Sequence, residues 1–518
     1  MRVWGERDIF VRKLWSMQFT EIVFAVFLTV VFSLYWLVLR RWVKAQIWLL
    51  LGASYLFYGW WDWRFLGLIM LTTVTTFVSA LYAHGRWGKV VTVANIVANV
   101  GILVAFKYLN FFSENLRRLF DLVGWNLDWF TVDVLLPVGI SFYTFQAIAY
   151  SVDVYKGRVK ACADPVAFAT FIAYFPQLVA GPIERASQLL PQISAPRVWN
   201  EGRAVSGLRM ILYGVMKKVC IADMLALYAD RLYAGNLDNP VLNVAAGVVF
   251  SLEIYCDFSA YSEIARGVSR LLGIELMANF RFPYFSRNIL EFWRRWHISL
   301  MWWFRDYVYI PMGGSRKGIG RTIVNTVVVF LLSGLWHGAA WNFIAWGAYW
   351  ALVYVCGKFL LHLSRRDGPI VFKDLPDMVL TFGVVAFGFY IFRCNDWSQV
   401  AAGGMNVWAY IVVFGGLWCV AKLVCEHWWA RIAILIAGGA CAAAACWWMA
   451  PRWPFMLKVW WLVPGVLALW TEWQSRNMDF ALERMSERQW RRVAFYWVCI
   501  AMIVISEPVE MTFIYFQF

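Results

Sequence analysis

The chain has 518 residues, of which 62% are hydrophobic and 15% charged, and it carries a formal net charge of +15. Soluble domains carry about 25% charged residues, so the composition argues against a string of soluble domains and for one polytopic membrane protein with room for about a dozen spans of roughly 20 residues. The positive charge suits basic cytoplasmic loops and lipid headgroups better than nucleic acid, and the ten cysteines form no CxxC pair, which disfavours a metal site or a disulfide framework.

Residues 1–16, MRVWGERDIFVRKLWS, are polar and basic and lack the apolar core and cleavage site of a signal peptide. Met17 opens the first expected span, QFTEIVFAVFLTVVFSLYWLVL. Arg40, Arg41 and Lys44 follow it and place that end in the cytoplasm. The N-terminus would then lie outside, against the preference of Arg2, Arg7, Arg12 and Lys13; a natural start at Met17 would remove the conflict. Further spans are expected near 46–61, 64–84 and 89–106. The amphipathic stretch NFFSENLRRLFDLVGWNLDWF is expected in the membrane interface. In LLPVGISFYTFQAIAYSVDVYKG, Pro137 and Gly139 break the helix start, and Asp153, Lys156, Arg158 and Lys160 mark a cytoplasmic-looking end. FATFIAYFPQLVAGPIERASQLLPQ is interrupted by Pro176, Gly181 and Pro182. Irregular backbone at membrane depth survives only when protein buries it or it lines a cavity. This segment is therefore read as re-entrant and cavity-lining, with a surface loop as the alternative.

Residues 203–233 read as a helix carrying Lys217, Lys218 and Asp223, followed by an apolar run that ends in YCDFSAYSE. Asp257 and Glu263 stand six apart, out of phase on a helix, so capping or helix–helix hydrogen bonding competes with chemistry there. Residues 291–338 hold two of the five histidines, each beside a tryptophan, in Trp296-His297 and Trp336-His337. His337 ends an apolar run, and an ionisable group in such a place is a functional-site hypothesis. Between the two histidines lie Arg305, Arg316, Lys317 and Arg321, with Arg294 and Arg295 just before. Later spans are expected near 340–363, 374–393, 402–424, 431–449, 456–472 and 493–506. The last twelve residues, EPVEMTFIYFQF, end in an aromatic cluster expected to dock into the protein or a partner. The remaining histidines, His84, His362 and His427, flank basic or Trp-rich span ends, where interfacial positions explain them.

Several of these motifs together resemble the membrane-bound O-acyltransferases, and within them the bacterial branch that O-acetylates exported polysaccharides. The stretches that carry the likeness are LPVGISFYTFQAIAYSVDVYKG, FPQLVAGPIERASQLLPQ, MKKVCIAD, DFSAYSEIARG, NFRFPYFSRNILEFWRRWHISLMWWFRDYVYIPMGG and LLSGLWHGAAWNFIAWG. FWRRWHISL followed some forty residues later by GLWHG is its most specific part. The resemblance implies an all-α fold of about 11–13 transmembrane helices, with re-entrant and interfacial helices around a central funnel. It divides the chain into the extension 1–16, a catalytic core over 17–395, C-terminal transmembrane helices over 396–506 and the tail 507–518. It implies a multi-pass protein of the bacterial inner membrane. It further implies that the acyl donor is acetyl-CoA from the cytoplasm, a substrate rather than a bound cofactor, and that the acceptor is an exported polymer, alginate-like, cellulose or peptidoglycan, reached through an extracytoplasmic acetyltransferase partner.

The resemblance also makes His337 the essential histidine and places His297 where relatives carry a second polar residue. It matches FIYFQF to a terminal aromatic motif whose tyrosine, here Tyr515, is proposed to carry the acyl group. Chemically, a hydroxyl attacks a thioester only if something takes its proton, and a neutral histidine suits that role. His337 is therefore read as general base. His297 is read as orienting the acceptor or hydrogen-bonding the developing oxyanion, and Tyr515 as first acceptor. Arg294, Arg295, Arg305, Arg316 and Lys317 are candidates for the CoA phosphates. From the residues alone, each histidine reads equally as a structural hydrogen-bonding group, Tyr515 as an interfacial anchor, and each basic residue as a lipid-headgroup contact. A transporter without chemistry is the competing class; it requires charged residues along a path, and the sparse charges inside the spans favour the enzyme. Acylation of a lipid or a protein is a third reading.

Overall fold

The computed structural model describes residues 17–124, 137–235, 237–364, 366, 368–426, 462–482 and 489–506, and among these every regular element is a helix. Helices satisfy their backbone hydrogen bonds internally, which is the condition for crossing lipid. In chain order they are α1 Ile22–Ser33, α2 Val43–Asp62, α3 Leu66–Leu81, α4 Gly88–Lys107, α5 Leu109–Leu122, α6 Ile140–Tyr155, α7 Pro165–Ala173, α8 Ala186–Ser194, α9 Glu201–Lys217 and α10 Asp223–Tyr233. Then follow α11 Pro240–Leu271, α12 Ile289–Arg295, α13 Ile298–Phe304, α14 Gly318–His337, α15 Trp341–Val355, α16 Leu375–Arg393, α17 Trp397–Met405, α18 Val407–Glu426, α19 Leu462–Ser475 and α20 Gln489–Ile505.

Seven helical runs among the described residues are long and apolar enough to cross a membrane: Val43–Leu81, Gly88–Lys107, Pro240–Leu271, Gly318–His337, Trp341–Leu360, Phe372–Arg393 and Val407–Glu426. Ile22–Val38 and Arg492–Ile505 are shorter apolar helices. The first run is two helices, α2 and α3, joined by a single turn at Trp63–Phe65, as the expected spans 46–61 and 64–84 require. The expected span 431–449 and the start of 456–472 lie outside the described residues. Large apolar side chains such as Ile22, Val97, Leu352 and Ile411 are more than half exposed, a surface suited to lipid.

The chain forms two compact units. The first comprises residues up to 211 with 261–277 and 305–308; the second comprises 212–260, 278–304 and the residues from 309 onward. In the first unit, the Pro- and Gly-broken stretch is three short helices, α7, Phe175–Leu178 and α8, and residues 167–184 are all buried. It is not a surface loop. Its geometry depends on Gly139, which stands at φ 75° before α6, where a Cβ would fall 2.6 Å from the Leu178 carbonyl oxygen. The amphipathic α5 buries none of its residues; Glu114 and Arg118 pair across one turn at 2.6 Å, and Leu109, Phe112 and Leu119 are exposed. The rest of that amphipathic stretch, from residue 125, lies outside the described residues.

In the second unit, the helix expected over 203–233 is divided. A π-turn at Lys218–Ala222 separates α9 from α10. Lys218 is buried there and its Nζ bonds Asp223 at 2.8 Å and Asp257 at 2.5 Å. Lys217, also buried, reaches Ser259 at 2.7 Å and Glu472 at 3.4 Å, and Tyr255 donates to the same Glu472 at 2.9 Å. α11 carries two carboxylates, Glu253 and Asp257, in its buried part. Asp257 bonds between helices rather than pairing with Glu263, in line with the helical phase of the two residues.

Candidate functional site

Both candidate histidines lie in the second unit. His297 is the joint between two seven-residue helices, α12 and α13. Asn288 caps α12 by accepting from the Glu291 amide at 2.9 Å, and the helix ends at Trp296. His297 then takes φ 43°, the left-handed region that non-glycine residues seldom occupy. The turn is fixed from outside: the Ile298 amide donates to the Asn279 main-chain oxygen at 2.9 Å, and the His297 carbonyl accepts from Met301 at 3.1 Å. The imidazole is 1% exposed, edge-on to Phe258 with centroids 4.8 Å apart and to Trp336 at 5.8 Å.

The polar partner of this ring is Asn279. Its Oδ1 lies 3.2 Å from His297 Nδ1, 2.8 Å from Ser299 Oγ and 3.3 Å from the Ser299 amide nitrogen. His297 Nε2 is buried with no hydrogen-bond partner among the described residues. Burial disfavours the charged ring and pushes His297 down to about 3, so the imidazole is neutral at physiological pH.

His337 is the last residue of α14, before Gly338 in extended conformation. Its ring is half-buried and walled by Trp336, Trp346 and Phe392, all edge-on, with centroids 4.8, 5.1 and 5.0 Å away. Phe392 is held at the end of α16, where its carbonyl accepts from Asn342 Nδ2 at 2.8 Å. Trp336 touches both imidazoles, so the two Trp-His pairs of the sequence share one aromatic box.

The basic candidates separate. Arg295 is committed to Glu291, which it meets at 2.9 Å, and to the Arg281 carbonyl. Glu291 also binds Arg287 at 2.9 Å. Burial alone would raise the Glu291 carboxyl, but the hydrogen bonds from Arg287 and the charges of Arg295 and Arg287 outweigh it and hold the group below its ordinary range. Arg294 is exposed, as are Arg316 and Lys317 just before α14. The 20 residues of α14 rise about 30 Å, so Arg316 and Lys317 stand a helix length from His337. Arg305 belongs to the first unit, where it and Arg185 share Asp306, and where Tyr307 donates to Asp153 at 2.6 Å. Tyr515 and His427 lie outside the described residues, while His84 and His362 are exposed.

Sequence reasoning missed Asn279 and Ser299. Ser299 sits in the HIS tripeptide, two residues from His297, where the charged residues around it dominate the pattern. Asn279 is 18 residues upstream of His297 with no spacing that announces it.

The profile of the membrane-bound O-acyltransferase family matches residues 162–394, which include both histidines. The chain is 38% identical over 393 residues to the probable alginate O-acetylase AlgI of Pseudomonas aeruginosa, covering 74% of this chain and 73% of that protein. It is 33% identical over 382 residues to the peptidoglycan O-acetyltransferase of Helicobacter pylori, covering 68% and 71%. With the teichoic acid D-alanyltransferase of Bacillus subtilis it shares 30% identity over 275 residues, 49% of this chain and 68% of that protein.

Proposed function

The chain belongs to the membrane-bound O-acyltransferase family, and from that premise we propose that it takes acetyl groups from cytoplasmic acetyl-CoA and delivers them outward, across the inner membrane, for O-acetylation of an exported polysaccharide or of peptidoglycan. It is a multi-pass membrane acyltransferase. The observation that carries the reading is the box in which Trp336 joins the half-buried His337 to the buried His297. A box of apolar walls with two imidazoles leaves proton transfer to the rings.

In this reading the acceptor hydroxyl oxygen attacks the thioester carbonyl carbon, and His337 takes the hydroxyl proton. The new C–O bond forms as the C–S bond breaks, and the proton passes from His337 to the departing sulfur, giving an ester and a free thiol. His297 orients the acceptor. Tyr515 supplies the first hydroxyl, and an extracytoplasmic partner moves the acetyl group from it to the polymer. Arg294, Arg316 and Lys317 attract the donor's phosphates.

The test uses the full chain in lipid with acetyl-labelled acetyl-CoA. Covalent label on Tyr515 that disappears in His337→Ala, at normal protein abundance, is the expected result. Label or turnover that survives His337→Ala sinks the catalytic assignment. Turnover that needs an added polymer hydroxyl and leaves no label on the chain would mean direct transfer, with Tyr515 as an anchor.

A further inference from the structure

Asn279 is an amide whose orientation the main chain decides. The Ser299 amide nitrogen lies 3.3 Å from one terminal atom of Asn279, and a main-chain N–H only donates. That terminal atom must be the carbonyl oxygen; turned the other way, two N–H groups would face each other. The same oxygen accepts from Ser299 Oγ at 2.8 Å. It is also 3.2 Å from His297 Nδ1, and an oxygen that only accepts requires the imidazole to donate there. The proton of the neutral ring is thereby assigned to Nδ1, and Nε2 carries the lone pair.

That lone pair has no donor among the described residues, although His297 is 1% exposed. An unsatisfied buried acceptor is disfavoured and is retained where something else uses it. The left-handed backbone at His297 points the same way, since a strained residue is kept in place by its surroundings. Trp336, beside this ring, also walls His337. Hence the unused acceptor belongs to the same box as the proposed base.

We propose that Asn279, braced by Ser299, is a positioning residue that holds His297 in the tautomer with a bare Nε2, and that this nitrogen accepts a hydrogen bond from the hydroxyl of the acyl acceptor. This refines the role read from the sequence. A neutral ring in this tautomer cannot donate from Nε2 to an oxyanion, so of the two functions considered for His297 only orientation of the acceptor is compatible. The use of the nitrogen rests on the transferase reading above; the tautomer does not.

Solid-state nitrogen NMR of the full chain in lipid, with 15N-labelled histidine, reads the tautomer directly. The chain has five histidines, and the His297→Asn spectrum identifies the signal. The wild type should show a protonated Nδ1 and an unprotonated Nε2. Asn279→Ala should lose that single form, whereas Asn279→Asp, which keeps the acceptor oxygen, should retain it. In acetyl transfer, Asn279→Ala should lower kcat roughly 10- to 100-fold, the size of one orienting hydrogen bond or two, with the donor KM unchanged, and Asn279→Asp should recover most of it. A wild-type signal protonated on Nε2, or an Asn279→Ala spectrum like the wild type, overturns the assignment. An Asn279→Ala chain with the altered tautomer and full kcat overturns the role in orienting the acceptor. The expected tautomer in a chain that transfers no acetyl group to any hydroxyl would leave Asn279 as the positioning residue and sink the transferase reading instead.

Discussion

Glu291 receives Arg287 from four residues before it and Arg295 from four residues after it, and this arrangement decides what Arg295 is available to do. The carboxylate is 4% exposed at its side chain and the Arg295 side chain 19%, so the pair is shielded from solvent. Arg316 and Lys317 differ in kind, exposed at the foot of α14. Arg295→Ala should therefore lower the thermal stability of the purified chain by about 1–3 kcal/mol, the worth of hydrogen bonds to a charged group, while leaving the donor KM alone. The double variant Arg316→Ala and Lys317→Ala should do the reverse, raising the donor KM several-fold with kcat and melting temperature unchanged. A higher KM for Arg295→Ala at unchanged stability would return that residue to the donor site. The distinction was legible in part: Arg287, Glu291 and Arg295 are spaced as one helical stripe. Asn279 was not legible, because what selects it is a backbone turn at His297 that no local pattern encodes.

Close helix approach connects α14 and α15 to the site. Cβ atoms on Gly334 and Gly347 would fall 2.2 Å from the Phe343 carbonyl oxygen and 2.5 Å from that of Phe330, so the two helices meet backbone to backbone. Phe343 in turn lies 4.9 Å from Phe392, the ring that walls His337. Gly334→Ala should separate the helices, destabilise the chain by about 1–3 kcal/mol and lower acetyl transfer through Phe392. Gly320→Ala, on the same helix with nothing within 4 Å of the added carbon, is the control and should be neutral or slightly stabilising. Equal melting temperatures for the two variants would dissociate the glycine from the packing. Both helices were readable as apolar runs, each bounded by charge at its outer end, and most spans were readable as apolar runs. The division of 203–233 at Lys218–Ala222 was not. The sequence displays Lys217 and Lys218 as a basic pair, and their carboxylate partners Glu472 and Asp257 are 255 and 39 residues away.

Across the whole molecule, the charge pattern gives the second unit its orientation. Arg316 and Lys317 precede α14 and Arg321 lies in its first turn, and Arg365, Arg366 and Lys373 precede α16, whereas Gly338–Ala340 between α14 and α15 has no charge. By the positive-inside rule the first two segments are expected on the cytoplasmic side, with His337 at the opposite end of its helix. The buried Lys217 and Lys218 do not restore the transporter reading, since each is bonded to carboxylates and neither is exposed. The same rule starts α20 in the cytoplasm at Arg491 and Arg492. The described chain then finishes inside the second unit, where Ser506 is 8% exposed and donates to Cys220 Sγ at 3.2 Å. Tyr515 is nine residues further on, outside the described residues. Tyr515→Phe keeps the aromatic ring and removes only the hydroxyl. If Tyr515 is the first acceptor, this variant should express and fold as the wild type, bind acetyl-CoA with unchanged affinity, take up no covalent label and leave the exported polymer without acetyl esters. An anchor would require only the ring, so unchanged polymer acetylation in Tyr515→Phe rules the relay out and assigns the attack on the thioester to a hydroxyl of the polymer or of the partner.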